Sequence, residues 1–204
     1  MGRLTTSFVL GYHGCDAEVA REAVNRGTPI LQSDRAYDWL GPGAYFWESD
    51  PTRAMEWARW KVERGEYSQP AVVGAIIDLR NCLDLTNRED VDLVSHAYDS
   101  FAQLQDRAGL PLPTNKSVNG DPNADLLLHF LDCAAFRHLH QLVAKAGMEP
   151  FDTIRGVFTE GDRAFPGSEI RQKTHTQIAV RSNDCIKGLF YPLEDGVIQF
   201  AAET

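Results

Sequence analysis

The chain has no closely spaced cysteines. Its four, Cys15, Cys82, Cys133 and Cys185, lie far apart along 204 residues, and no Cys-x-x-Cys pair occurs. That excludes a zinc ribbon and a disulfide framework, and a chain this long can bury a core without staples. The thiols are expected to be reduced, in a cytoplasmic setting. No stretch approaches 18 uninterrupted apolar residues, so neither a transmembrane helix nor a membrane partner is expected. The first fourteen residues are too polar for a signal peptide. Basic residues are scarce: 20 Lys and Arg stand against 29 Asp and Glu, for a net charge of −9. That balance argues against a broad nucleic-acid-binding face, although not against a local basic groove. Repeats and low-complexity tracts are also missing.

What is present reads as an α+β domain. Residues 7–13 suit a strand. Asp16 then caps a short helix, AEVAREAVNR, which Gly27 closes. A short strand is expected at 43–47, followed by a helix over 51–64 with Asp50 as N-cap and Pro51 at its first position. The apolar run AVVGAIIDL at 71–79 predicts a central strand. Thr86 and Glu89 form a capping box for a second helix ended by Gly109. Residues 110–123 suit a loop and 124–146 an amphipathic helix closed by Gly147. Strands follow at 153–158, 176–181 and 186–191, so strand-rich ends surround a helical middle.

Three stretches carry possible chemistry. Tyr12-His13-Gly14 ends the first strand. His13 there is either a histidine hydrogen-bonded into a strand end or a polar anchor for a ligand, with Gly14 allowing close backbone approach. In YDWLGPGAYFWE, Gly41, Pro42 and Gly43 precede Tyr45, Phe46 and Trp47, which fits a turn into a core strand or one wall of a pocket. Thr174-His175-Thr176-Gln177 opens a late strand, whose alternation with Ile178 and Val180 suits a polar-faced edge strand. His129 and Cys133 share a helix face at four-residue spacing, but no third or fourth ligand accompanies them, so no metal is expected.

Taken together, His13-Gly14, then Gly41-x-Gly43-x-Tyr45-Phe46 before a helix, then Gln177 on a late strand, resemble the ADP-ribosyltransferases. The branch is that of diphtheria toxin and the poly(ADP-ribose) polymerases, with its His-Tyr-Glu triad. The likeness covers about residues 7–80 and 153–191, and leaves 85–150 as a helical insertion within one domain spanning 1–204. It implies a split mixed or antiparallel β-sandwich core, NAD as co-substrate, and transfer of ADP-ribose with release of nicotinamide.

The resemblance assigns catalysis to His13, Tyr45 and Gln177, with Tyr45 stacking on the nicotinamide and His13 bonding the adenosine ribose. Gly14 would clamp the nicotinamide amide and Gly43 shape the turn. Tyr37 or Trp57 would form the second wall, and Arg53 would reach the pyrophosphate. Gln177 departs from the family's Glu and brings no charge, so Glu160 or Glu169 is a candidate helper. The loop 159–175, with Arg163, Arg171, Lys173 and His175, is expected to read the acceptor, whether RNA, DNA or protein. The implied setting is an intracellular toxin or phage-defence effector with a neutralising antitoxin. Hydrolysis of NAD by water, or silent binding of NAD or ADP-ribose, are the alternatives.

Overall fold

A computed structural model describes residues 8–118, 120, 125–192 and 198–199. Among the described residues, eight strands and four α-helices follow in the order β1 (Phe8–Asp16), α1 (Ala17–Arg26), β2 (Ala44–Glu48), α2 (Pro51–Glu63), β3 (Pro70–Asp78), β4 (Cys82–Asp84), α3 (Arg88–Ala108), α4 (Phe130–Lys145), β5 (Thr153–Phe158), β6 (His175–Val180), β7 (Ile186–Pro192) and β8 (Ile198–Gln199). The expected α+β class holds. The strands join in the order β4-β5-β6-β2-β1-β3-β7-β8. Only β4 and β5 run parallel; the other neighbours are antiparallel.

The sheet has a weak seam. β1 pairs with β3 over nine residues, from Phe8–Asp78 to Asp16–Pro70. With β2 it makes only two pairs, Gly11–Glu48 and Tyr12–Trp47. The described strands thus form one continuous sheet with a short β1–β2 ladder, where the resemblance implied a split sandwich.

Local chemistry explains most boundaries. The Asp16 side chain accepts from the Glu18 N–H and Gly27 ends α1 at φ 68°. Asp50 accepts from the Arg53 N–H at 2.8 Å, and Pro51, which lacks an N–H to leave unpaired, starts α2. Two predicted helix starts shift. Asn87, not Thr86, caps α3, because Thr86 instead donates to the Asp84 carboxylate. Helix α4 starts at Phe130, not 124, because Leu128 exchanges backbone hydrogen bonds with Lys116 and stays extended. Residue 7 of the first predicted strand and residue 124 lie outside the described residues. β6 is an interior strand between β5 and β2, not an edge.

Each sheet face has its own cover. On one face, Ala20 and Ala23 of α1 pack with Cys15, Ala44, Phe46, Val73, Ala75, Ile77, Ile178 and Val180. On the other face, Ala54 of α2 packs with Trp47 and Val72, beside Tyr12 and Trp57. Farther along that face, Phe136, Leu139 and Val143 of α4 and Ala97 of α3 pack with Leu40, Leu83, Ile154 and Ala179. The predicted insertion is therefore part of the core cover.

Candidate functional site

In an antiparallel strand, backbone groups point alternately to the two neighbours. The Leu10 carbonyl accepts from the Ser49 N–H beside β2, and the Ala17 N–H donates to Gln69 beside β3. Even-numbered residues of β1 therefore address β2. A regular ladder would continue from Tyr12–Trp47 to Gly14–Tyr45, with the Gly14 N–H on the Tyr45 carbonyl. That carbonyl is instead taken by His13 Nδ1 at 2.8 Å. A side chain replaces a main-chain donor, the ladder stops, and the N–H and C=O of Gly14 are directed into the gap.

A carbonyl only accepts, so Nδ1 of His13 carries the proton and Nε2 is left as an acceptor. Burial lowers the His13 pKa and the bond to the Tyr45 carbonyl only partly offsets it, so the ring is neutral at pH 7. The ring lies beside Phe46, 5.6 Å between centroids. Gly14 has a packing role too: a Cβ there would collide with the Ala54 carbonyl oxygen of α2.

Tyr45 is held at both ends. Its hydroxyl donates to the Gly41 carbonyl at 2.8 Å and accepts from the Leu40 N–H at 2.9 Å, while its ring packs beside Leu40 and Phe136. Burial raises its pKa well above the usual phenol value, so it stays protonated. Gly41 needs its φ of 75° for this turn, and Gly43 exchanges backbone bonds with Ser33.

Tyr45 pairs with Ala179 and Trp47 with Gln177. Gln177 thus lies diagonally from Tyr45 on the same face, about 7–8 Å away for such neighbours. Gly14, Tyr45 and Gln177 line up across β1, β2 and β6. The Oε1 atom of Gln177 already accepts from the Trp39 indole N–H at 2.6 Å. Its free groups are therefore the amide N–H pair and one remaining lone pair, a poorer fit to the expected acceptor role.

Other predicted residues find different partners. Arg53 donates to Glu160, and with 14% and 9% side-chain exposure this is a nearly buried ion pair. That leaves Arg53 committed rather than poised for a pyrophosphate, and Glu160 neutralised rather than free to assist. Glu169 pairs with Arg163 out in solvent. Trp57 packs on Trp47, 6.0 Å between centroids, two residues along β2 from Tyr45. Tyr37 packs on Phe130 at the start of α4. Of the two candidate walls, Trp57 is the one carried by the α2 cover.

In the loop, Arg171 donates to the Gly161 carbonyl, and His175 is buried in β6 instead of facing an acceptor. Its Nδ1 donates to the Lys173 carbonyl, and its ring lies tilted against Trp47 and Phe158. His175 Nε2, Trp47 Nε1 and Arg53 Nε are enclosed around Trp47 with no hydrogen-bond partner. Sequence reasoning missed Trp39, whose only signal was its place in the aromatic stretch before Gly41. Among the described residues no group of three or more His, Cys, Asp or Glu side chains is arranged to hold a metal, and no helix is long and apolar enough to cross a membrane. No known protein family, curated protein or solved structure matches this chain.

Proposed function

We propose that the seam is an NAD site and that the protein is a mono-ADP-ribosyltransferase, passing ADP-ribose to a macromolecular acceptor. The observation that carries this reading is the interrupted ladder, with His13 on the Tyr45 carbonyl and Gly14 facing the gap. A strand residue presents one N–H and one C=O side by side. A carboxamide offers the matching C=O and N–H, so nicotinamide fits Gly14 without any side chain. Tyr45 supplies an anchored ring for the pyridinium to stack on. Neutral His13 offers Nε2 to a ribose hydroxyl.

NAD supplies a leaving group that departs neutral, so the chain's task is positioning and charge stabilisation. Gly14 and Tyr45 hold the ring, His13 orients the sugar, and Gln177 faces the reacting side. A second reading, a binding module that does not turn NAD over, is favoured by the Trp39 bond on Gln177 and the pairing of Glu160 with Arg53.

Calorimetry with NAD tests the site, and nicotinamide release with and without acceptor tests the reaction. Transfer requires NAD binding that His13→Ala and Tyr45→Ala both weaken, and nicotinamide release that depends on acceptor. Release without acceptor assigns a glycohydrolase. Binding with no release, even in Gln177→Glu, assigns the silent module. Undiminished binding in both His13→Ala and Tyr45→Ala removes the site altogether.

A further inference from the structure

Beside Trp39 lies a cavity of about 350 Å³, lined by Trp39, Asp125, His129, Asp132, Val157 and Phe158 among others. His129 stands immediately before α4. Its Nδ1 meets Asp132 Oδ2 at 2.5 Å. Asn115 donates to the same carboxylate oxygen at 3.0 Å, and its own carbonyl accepts from the Leu131 N–H. The carboxylate is thus fixed from two sides. A carboxylate oxygen accepts, so Nδ1 of His129 is the donor to Asp132 and Nε2 points elsewhere. Nε2 is enclosed and has no hydrogen-bond partner among the described residues. The ring is edge-on to Phe158, 5.3 Å between centroids, and 6.2 Å from Trp39.

An imidazole with a carboxylate on one nitrogen and no partner on the other is the arrangement of a general base. The cavity adds a ligand class. Trp39, Phe158 and His129 give it aromatic walls, Asp125 and Asp132 give it acceptors, and among the described residues its lining contains no Lys or Arg. Phosphates and carboxylates are disfavoured there. A flat neutral ring bearing N–H donors is favoured, because stacking suits the walls and carboxylates accept from exocyclic amines.

We propose that this cavity holds the acceptor as a nucleobase with an exocyclic amine, and that the His129–Asp132 dyad is its general base. The inference rests on the NAD reading for its second substrate. In the step, the amine nitrogen bonds to C1′ of the nicotinamide-side ribose. The C1′–N bond to nicotinamide breaks, its electron pair leaves with nicotinamide, and the amine proton passes to Nε2 of His129. Asp132 stabilises the imidazolium that results. Exocyclic amines delocalise their lone pair into the ring, so proton removal is the part of the reaction where a base contributes, on the order of 10²–10⁴-fold. Trp39 joins the two halves, with its ring in the cavity and its indole N–H on Gln177.

The test has two arms. In the first, without NAD, adenosine, cytidine, guanosine and uridine are titrated in turn while NMR follows the His129 and Trp39 side chains. The amine-bearing nucleosides are expected to shift these signals, with at least one of them binding tenfold or more tighter than uridine, and Val157→Phe, which fills the cavity without touching the dyad, is expected to abolish the shifts. No binding, or equal binding of uridine, overturns the proposal. In the second arm, labelled NAD is incubated with single-stranded oligonucleotides of mixed sequence or with a histone mixture. Label on the oligonucleotides, lowered roughly 10²–10⁴-fold by His129→Gln with NAD affinity retained, supports it. Label on histones alone overturns it. A wild-type protein that does not bind NAD overturns the seam reading and the base step with it, while the nucleoside titration still decides the cavity.

Discussion

The His13→Ala substitution separates a structural histidine from one that holds a binding gap open. The change removes one hydrogen bond, worth about 0.5–1.5 kcal/mol net, and a ring beside Phe46. It also vacates the Tyr45 carbonyl, which the Gly14 N–H is aligned to take in the next ladder position. One bond is exchanged for another, so the loss of stability should not exceed about 2 kcal/mol, a fall in Tm of roughly 4–8 °C for a chain of this size. The local effect should be the reverse of loosening. The Gly14 amide, fast-exchanging in the wild type because it faces the gap, becomes protected once the seam zips closed. NAD then loses a two-bond clamp worth about 2–3 kcal/mol, or roughly 30- to 160-fold in affinity. Amide hydrogen exchange read by NMR at Gly14, a thermal melt and NAD calorimetry measure the three quantities. A Gly14 amide already protected in the wild type without NAD, or one that His13→Ala leaves unchanged, refutes the reasoning.

Arg53→Met should destabilise by about 3–5 kcal/mol in urea unfolding, because it strands the Glu160 carboxylate in a nearly buried site; the Arg53→Met, Glu160→Gln double variant should recover most of that loss. Gly14→Ala should lower stability by about 1–3 kcal/mol or more, since its methyl meets the backbone of α2 rather than a flexible side chain; a melt within a degree of wild type would contradict the packing. His140, with both ring nitrogens enclosed and unpartnered, has its pKa lowered to about 4, first by burial and then by the Arg181 charge. The unfolded chain, at about 6.5, binds the proton that the folded chain refuses. Stability from this residue is therefore intact above pH 6.5 and falls as pH drops towards 4, by about 2 kcal/mol at pH 5. His140→Phe should flatten that slope when urea midpoints at pH 7 and pH 5 are compared.

The elements were legible where the chemistry is local. Asp16 and Gly27 bracket α1, Asp50 and Pro51 start α2, and the apolar run of β3 marks an interior strand. The start of α4 was not, because Leu126, Leu127 and Leu128 continue a helical apolar pattern and only the distant Lys116 draws the backbone extended. The alternation in β6 suggested an edge, but β5 pairs along its outer side through a connection that no local pattern announces. At the site, Gly14, Tyr45 and Gln177 share one face, whereas strand alternation puts the His13 ring with Phe46 and Val73 on the other. Their partners were beyond reach. Trp39 lies 138 residues from Gln177, and Glu160 lies 107 from Arg53. The seam itself depends on a side chain outcompeting a main-chain N–H, which no spacing encodes.

The two hydrogen bonds on the Tyr45 hydroxyl have an entropic consequence. A tyrosine waiting in a cleft ordinarily samples several orientations and must be frozen when a ligand stacks on it, at about 0.5–1.5 kcal/mol. Here Gly41 and Leu40 fix the ring when the glycine-rich turn forms, so that ordering is complete before any ligand arrives. A Tyr45→Phe ring keeps the stacking surface and loses the anchor. Its handicap would thus be a more unfavourable binding entropy with little change in enthalpy, a signature that separates a prepaid orientation from a lost contact.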